Sequence, residues 1–271
     1  MHNYRYVWLL LTMLSLPSLA LGQNPALDRG PVTSATAHTT TLTGTDAIMA
    51  NPAGLSEADE TTARFTAITR FGEAAFTTMG ATALIDFRQA NLEIGASHFG
   101  DDVFGIDRIS IATGHKLGIA SLGVRLHAFT YRTEATGSRT IPVFEAGGIA
   151  DLSEKLSVGA WILNPGQARI SEAEYFPTLM SMGITYRLAG SLSLLAEVEK
   201  DIDRSAVIKA GLNYVLNEYV STMIGVRTEG HRMSAGLAFH KHSFSFHYAG
   251  MWAGLPGFSH QIALDYAIGK P

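Results

Sequence analysis

Four charged residues on three successive predicted strands are of the types, and at the spacing, that a functional site could use. Glu197 and Glu199 lie two residues apart, so an extended strand directs both carboxylates to one face. Lys209 and Arg227 take the same face on the next two predicted strands. The set would form either a charged site or an ion-pair ladder that neutralises this face and braces the sheet. Because opposite charges face each other across neighbouring strands, the ladder is the favoured interpretation.

No arrangement of residues in the sequence predicts catalysis. Two carboxylates on one strand lie on the same side of any substrate and cannot flank a glycosidic bond. Ser243, Ser245 and His247 share one strand, which prevents the hydrogen bond that a nucleophile and its base require. The late histidines follow no known metal-ligand spacing, and these are His231, His240, His242, His247 and His260. We therefore expect a protein that is not an enzyme, with no catalytic residue, metal site or cofactor.

The elements that must position these residues are strands, because the sequence alternates with a period of two. In the last segment Ile262 and Leu264 fall on one face, whereas Ala263 and Asp265 fall on the other. Fourteen such runs follow one another from Thr62 to the end of the chain, and the charges keep to one face. An apolar face toward lipid and a small, polar face toward a lumen predict an all-β protein. We expect a single antiparallel transmembrane β-barrel of about fourteen strands.

Short and long connections alternate along the predicted strands. The turns from even to odd strands are tight, whereas the links from odd to even strands, including residues 133–140 and 166–175, are mostly longer. Bacterial barrels have short periplasmic turns and longer extracellular loops, and an even strand number places both termini on the periplasmic side. The two longest outer loops are polar and still short. We therefore expect them to offer too little apolar surface for a capture site.

Composition bears on the compartment and on the partners. Residues 1–22 combine an apolar run with small residues near its end, which is typical of a cleaved secretory signal. The chain has no cysteine, and its charged fraction of 16% is below the roughly 25% of ordinary soluble proteins. With a net charge of −4 and no cluster of Lys and Arg, nucleic acid is not an expected partner. We expect the outer membrane of a Gram-negative bacterium, with its lipid as the surrounding partner.

Residues 23–60 are small and polar and lack sustained alternation, so they are not predicted to be strands. A short motif interrupts them, composed of Asn51, Pro52, Ala53, Gly54 and Leu55. Proline biases Asn51 toward an extended backbone, and Gly54 permits a tight turn. The motif therefore predicts a sharp corner shortly before the first strand.

With this motif placed before fourteen strands, the chain resembles the FadL-like outer-membrane superfamily, and within it most of all the PorV/PorQ branch. The resemblance implies a hatch at residues 23–60, folded into the lumen of a barrel at residues 61–271. The Asn51-Pro52-Ala53 corner would lie near the periplasmic mouth, and Gly147 and Gly148 would permit a bend or a close approach of the hatch. Three later segments are also similar to that branch, namely residues 195–200, 210–214 and 254–266.

Two functions are implied by the resemblance. PorV/PorQ-like members are accessory barrels of type IX secretion, so a secretion translocon or a secreted cargo protein would be the partner. FadL-like members carry small hydrophobic ligands passively across the outer membrane. The short outer loops favour the first function, a non-enzymatic component of protein secretion. Passive transport of small hydrophobic compounds is the alternative.

Overall fold

The computed structural model describes residues 25–87, 90–134, 137–172, 174–252 and 257–269, and the predicted signal at residues 1–22 lies outside them. Fourteen antiparallel strands close into one barrel in chain order, which confirms the predicted all-β fold. The strands are β1 (Thr61–Thr69), β2 (Thr77–Asp86), β3 (Asn91–Gly100), β4 (Phe104–Leu117), β5 (Ala120–Thr133), β6 (Gly137–Asp151), β7 (Leu156–Leu163), β8 (Leu179–Ala189), β9 (Leu192–Asp201), β10 (Val207–Val215), β11 (Val220–Arg227), β12 (Arg232–Lys241), β13 (Phe244–Trp252) and β14 (Phe258–Ile268).

The barrel closes where β14 pairs with β1, in a register that runs from Thr61 opposite Ile268 to Thr69 opposite His260. We call the end at Thr61 and Ile268 the terminal end and the opposite end the outer end. At this seam Arg64 donates from two guanidinium nitrogens to both oxygens of Asp265, each over 2.6 Å. Both side chains are buried, so the seam carries a charged link as well as its backbone ladder.

Alternation decides which side chains face outward. Along β14 buried and exposed residues alternate without a break, with Ile262 and Leu264 exposed and Ala263 and Asp265 buried. The pattern holds around the barrel because successive side chains of a strand point to opposite faces. The predicted assignment of faces at this strand is therefore observed.

One predicted outer loop is wrong. Residues 133–140 were expected to be a link, but β5 and β6 form a long hairpin whose register continues to Thr133 opposite Gly137. The Thr130 and Thr140 hydroxyls lie 2.8 Å apart on exposed positions of the two strands. Here both faces of the hairpin carry polar residues, so no alternation of apolar and polar residues marks the strands.

The link between β7 and β8 contributes an apolar side chain to the barrel interior. Its described residues, 164–172 and 174–178, bring the Phe176 side chain into the lumen, where it is only 1% exposed. Asn164 holds the turn, since its side-chain nitrogen donates to the Phe176 carbonyl over 2.7 Å and its side-chain oxygen accepts from the Ala168 amide over 2.8 Å. The expectation of too little apolar surface for a capture site concerned residues 166–175, and Phe176 follows directly after them.

Residues 25–58 lie inside the barrel, and we call them the hatch. They run from the outer half of the lumen, where Asp28 contacts Arg70 and Thr78, to the terminal end, where Asn91 binds the Leu55 carbonyl. The hatch contains helix α1 (Pro31–Thr36) and the 3-10 turns Pro25–Leu27, Gly44–Ala47 and Pro52–Glu57. Two further 3-10 turns, Ala74–Phe76 and Glu229–His231, lie in outer links. No helix in the described residues is long and apolar enough to cross a membrane.

Candidate functional site in the barrel lumen

The hatch lies directly against glycines of the inner wall. A Cβ atom on Gly147 would fall 2.0 Å from the Asn51 side-chain oxygen, and one on Gly123 would fall 2.3 Å from the Pro52 backbone. No side chain fits at such distances, so glycine is what lets the two backbones approach. The structure thus shows the predicted close approach at Gly147. Six further glycines meet the hatch in the same way, namely Gly114, Gly159, Gly183, Gly211, Gly225 and Gly236.

Asn51 fixes the hatch to the wall and begins the Pro52–Glu57 turn. Its side-chain nitrogen donates to the Thr40 carbonyl over 2.7 Å and to the Gly148 and Ala160 carbonyls of the wall over 3.2 Å each. Its side-chain oxygen accepts from the Ala53 amide over 3.1 Å. Every hydrogen-bonding atom of this fully buried amide is therefore used. The remaining motif residues, Pro52, Ala53, Gly54 and Leu55, are also buried, toward the terminal end.

On one side the hatch is held by what we call the Arg125 contact, formed by Arg125, Glu93, Glu145, Arg29 and Ala50. Arg125 binds Glu93 over 3.0 Å and Glu145 over 2.9 Å, and it donates to the Ala50 carbonyl over 2.7 Å. Arg29 of the hatch reaches Glu145 over 2.9 Å. The Arg125 and both glutamate side chains have no exposed surface. Each buried charge has a partner of opposite sign, as burial requires.

On the other side lies what we call the Glu197 contact, formed by Glu197, Lys209, Glu199, Thr39 and Thr40. Glu197 accepts from the Thr39 amide over 2.7 Å and from the Thr40 amide over 3.0 Å. Lys209 donates to Glu197 over 3.0 Å and to Glu199 over 2.8 Å. The wall thus presents an anion to hatch amides here, whereas at the Arg125 contact it presents both a cation to the Ala50 carbonyl and an anion, Glu93, to the Met49 amide over 3.0 Å.

The predicted ladder is assembled in part. Glu197, Glu199 and Lys209 come together as described, and Arg227 lies opposite Lys209 in the register of β10 and β11. In the part of the chain that the structure describes, Arg227 makes no ion pair with either glutamate. Its side chain instead lines a cavity of about 630 Å³ between the hatch and the outer parts of β9 to β12. Other charged residues line it too, among them Asp28, Asp201, Glu229 and Arg232.

His38 stands next to the Glu197 contact and is neutral at ordinary pH. Burial lowers the pKa of its imidazole from 6.5 to about 4, although the nearby Glu197 carboxylate acts in the opposite direction. Its Nε2 atom accepts from the Thr41 amide over 3.3 Å and lies 2.7 Å from the Thr41 hydroxyl. An unprotonated Nε2 fits these contacts, since the backbone amide can only donate.

Apolar side chains fill the outer half of the lumen along β3 to β8, and we call them the outer aromatic cluster. The Phe129 and Phe176 rings lie 4.8 Å apart at an angle of 35°. Phe176 comes from the link after β7, and Ala26 of the hatch joins the cluster from the other side. The wall residues of the cluster are Phe99, Ile106, Phe129, Ile141, Val143, Trp161, Leu163 and Leu179.

No metal-binding group stands out in the lumen. Within residues 25–269, apart from the short undescribed gaps, no three His, Asp or Glu side chains converge in a way that could hold a metal ion. The late histidines are scattered, and His247 lies at the closing seam, where its Nε2 atom is 3.2 Å from Asp265.

No protein-family model and no curated protein matches the sequence. Solved structures match the fold, which is the closed fourteen-stranded barrel of the FadL-like proteins. The Pseudomonas putida toluene transporter TodX superposes with a TM-score of 0.66 at 9% identity, covering 88% of this chain and 96% of that one. The Ralstonia pickettii toluene transporter TbuX gives 0.62 at 13% identity, covering 88% and 97%.

A FadL homologue from Pseudomonas aeruginosa is similar as well, with a TM-score of 0.58 at 10% identity over 88% of this chain and 98% of that one. At such identities the likeness establishes the fold alone. The finer expectation of a PorV/PorQ-like protein is not confirmed by these structures. A role in type IX secretion has no support from them.

Proposed function

We propose that this chain is a non-enzymatic outer-membrane barrel that passes small hydrophobic compounds through its lumen. The outer aromatic cluster carries the proposal. Phe129, Trp161 and Phe176 place three aromatic side chains together on the inner side of the lumen. Apolar and aromatic linings are the usual walls of sites for small hydrophobic molecules.

The outward surface supports a position in the outer membrane of a Gram-negative bacterium. Ile109 and Met182 are 64% and 70% exposed on outward faces, which suits contact with lipid. Outward-facing charged residues of the described strands keep to the strand ends, as at Asp107, Arg132 and Lys200. An Arg or Lys facing lipid at the midplane would cost about 2–4 kcal/mol, which explains this distribution.

The similar structures add support for the kind of compound. TodX and TbuX are by name toluene transporters, and they share this fold over almost their whole length. A small aromatic hydrocarbon also matches the dimensions of the Phe176 ring that now fills the cluster. We therefore infer passive transport of small hydrophobic ligands. The sequence analysis gave this function as the alternative to an accessory role in secretion.

Binding can be measured through the one tryptophan in the cluster. In a Trp252→Phe background of the purified protein without the predicted signal at residues 1–22, which contains Trp8, Trp161 is the remaining tryptophan and reports on the cluster. We expect toluene to change Trp161 fluorescence in a saturable way. Phe129→Asp should abolish this change, because a buried carboxylate repels an apolar ligand.

The matched control is Ala128→Ser, on the outward face of the same strand, which should leave binding unchanged. Heat-dependent gel mobility shows that each variant forms its barrel. Absence of saturable binding in the parent protein would overturn the proposal, as would unchanged binding in a folded Phe129→Asp barrel. Uptake of labelled toluene by Gram-negative cells, with and without the chain, then separates transport from binding alone.

A further inference from the structure

Two buried polar atoms flank the aromatic site described above. Beyond Arg125, the luminal residues of β5 are, in order toward the outer end, His127, Phe129 and Tyr131. Neither the His127 Nδ1 atom nor the Tyr131 hydroxyl has a hydrogen-bond partner in the described residues, and both atoms are buried. Buried polar atoms are nearly always paired, so two such atoms on either side of one ring require an explanation.

The contact between His127 and Glu145 shows which kind of hydrogen-bond partner the His127 Nδ1 atom lacks. Its Nε2 atom lies 3.3 Å from Glu145 Oε2, and that carboxylate is already bound by Arg125 and Arg29. An ionised carboxylate only accepts, so we assign the imidazole hydrogen to Nε2. The Nδ1 atom is then a buried acceptor without a partner among the described residues. It would be satisfied by a group that donates a hydrogen bond.

The space beside His127 is bounded by rings and by the hatch. The His127 and Phe129 rings lie 5.2 Å apart, and Phe176 lies on Phe129. A void of about 10 Å³ adjoins His127, Phe129 and Leu27 of the hatch. It is at the lower limit for one water molecule. Displacement of Leu27 or Phe176 would therefore join the ring site to the His127 acceptor.

We propose that the site selects aromatic compounds that carry one hydroxyl group over the corresponding hydrocarbons. The ligand ring takes the place of the Phe176 ring against Phe129, and its hydroxyl donates to His127 Nδ1. In this structure the Phe176 ring therefore occupies the position of the ligand ring, and it has no hydroxyl group that could donate to His127. The inference rests on the proposed function and deepens it, because it names the compound class that the aromatic site prefers.

The test compares two ligands that differ by one hydroxyl, para-cresol and toluene, in the Trp161 fluorescence assay described above. We expect para-cresol to bind about tenfold more tightly, the size of one recovered hydrogen bond. His127→Leu should remove this preference, so that para-cresol and toluene bind that variant equally. Tyr131→Phe is the matched control, with the neighbouring unpartnered hydroxyl removed, and it should keep the preference.

A second measurement avoids any folding defect in the His127 variant. The methyl ether of para-cresol keeps the ring and the oxygen but cannot donate, so it should bind the parent protein no better than toluene does. Equal binding of para-cresol and toluene overturns this inference and leaves the proposed function standing. A loss of preference in Tyr131→Phe and not in His127→Leu also overturns the assignment to His127. If neither compound binds, the proposed function itself fails.

Discussion

The wall of the barrel holds the backbone of the hatch at two contacts of different composition. At the Arg125 contact a guanidinium donates to the Ala50 carbonyl and the Glu93 carboxylate accepts from the Met49 amide, whereas at the Glu197 contact a carboxylate accepts from the Thr39 and Thr40 amides. These hatch residues belong to no regular helix or strand that could satisfy their backbone groups. Because buried backbone groups must be paired, the wall supplies a donor where the hatch presents a carbonyl and an acceptor where it presents amides.

The two contacts also differ in their surroundings. Arg125 stands between two carboxylates without exposed surface, so its loss would leave both of them buried and less compensated. Glu197 shares Lys209 with Glu199, whose side chain is 22% exposed beside the large cavity. The Arg125 contact is therefore the closed side of the lumen, and the Glu197 contact is the side that borders a polar cavity. The hatch should be held more strongly at Arg125.

The largest effect is expected for Arg125→Met. It removes the cation between Glu93 and Glu145 and leaves two buried carboxylates short of a partner, at a cost of about 3–5 kcal/mol. Thermal unfolding of the purified protein should show the loss, and conductance in planar bilayers should rise as the hatch loosens. Arg187→Met is the matched control, because this luminal arginine bonds only Ser157 in the described contacts. Equal effects of the two variants would contradict the importance of the Arg125 contact.

Next in size is the effect of pH on the Glu197 side. The pKa of His38 is about 4 while the hatch lies in the lumen, against the ordinary value of 6.5 for an exposed imidazole. His38 therefore binds a proton more readily when the hatch leaves its buried position. The closed state is therefore fully favoured above about pH 6.5 and loses about 1.4 kcal/mol per pH unit as pH falls toward 4. Conductance should rise over this window.

His38→Gln should flatten that rise, since an amide does not titrate there. Titration of the carboxylates is common to both proteins, so the difference between them isolates His38. An identical pH dependence in parent and variant would show that His38 protonation does not bear on the hatch.

Lys209→Met should have a smaller effect than Arg125→Met. Glu197 keeps its two amide donors from the hatch, and Glu199 can turn toward the cavity, so we expect a loss of about 1–2 kcal/mol. The same thermal unfolding experiment compares the two variants directly. A loss as large as that of Arg125→Met would mean that both sides of the lumen are equally closed.

The smallest expected effect is that of Trp161→Phe. The indole nitrogen donates to the Thr39 hydroxyl over 2.7 Å, and phenylalanine keeps most of the apolar contact. The loss should be about 1 kcal/mol, as for one neutral hydrogen bond. Combined with Lys209→Met, it tests whether Trp161 belongs to the Glu197 side. Strictly additive losses would indicate that the two residues hold Thr39 independently.

Much of the barrel could be predicted because lipid and lumen impose opposite demands on successive residues. The faces of β14 follow from Ile262 and Leu264 alternating with Ala263 and Asp265, and the closure with β1 follows from an even, continuous series of strands. The β5–β6 hairpin was missed at Gly137 because both of its faces are polar beyond the apolar belt. Where both faces of a strand meet a polar environment, apolar and polar residues do not alternate, and the sequence pattern cannot reveal the strand.

The candidate site was less accessible to sequence reasoning. Glu197 and Lys209 could be paired from their positions on neighbouring strands, but nothing local indicated that Thr39 would bind the same carboxylate. Phe176 lies in a link whose inward turn depends on Asn164, a tertiary arrangement without a periodic signal. The sequence analysis used Gly147 and Gly148 as a signal of close approach, but it overlooked the glycines on the inward face of other strands, such as Gly123 and Gly211, where a wall without side chains also implies that another segment lies against it.

The course of the hatch along the whole lumen has a consequence for the order of assembly. The charged link of the seam joins Arg64 and Asp265, two residues 201 positions apart, so the ring can close only after almost all of the chain has been made. Buried contacts on opposite walls hold the hatch, and its polar backbone could not slide between them after closure without losing its partners. We therefore expect the hatch to settle on an open, curved sheet, which then wraps around it as a template.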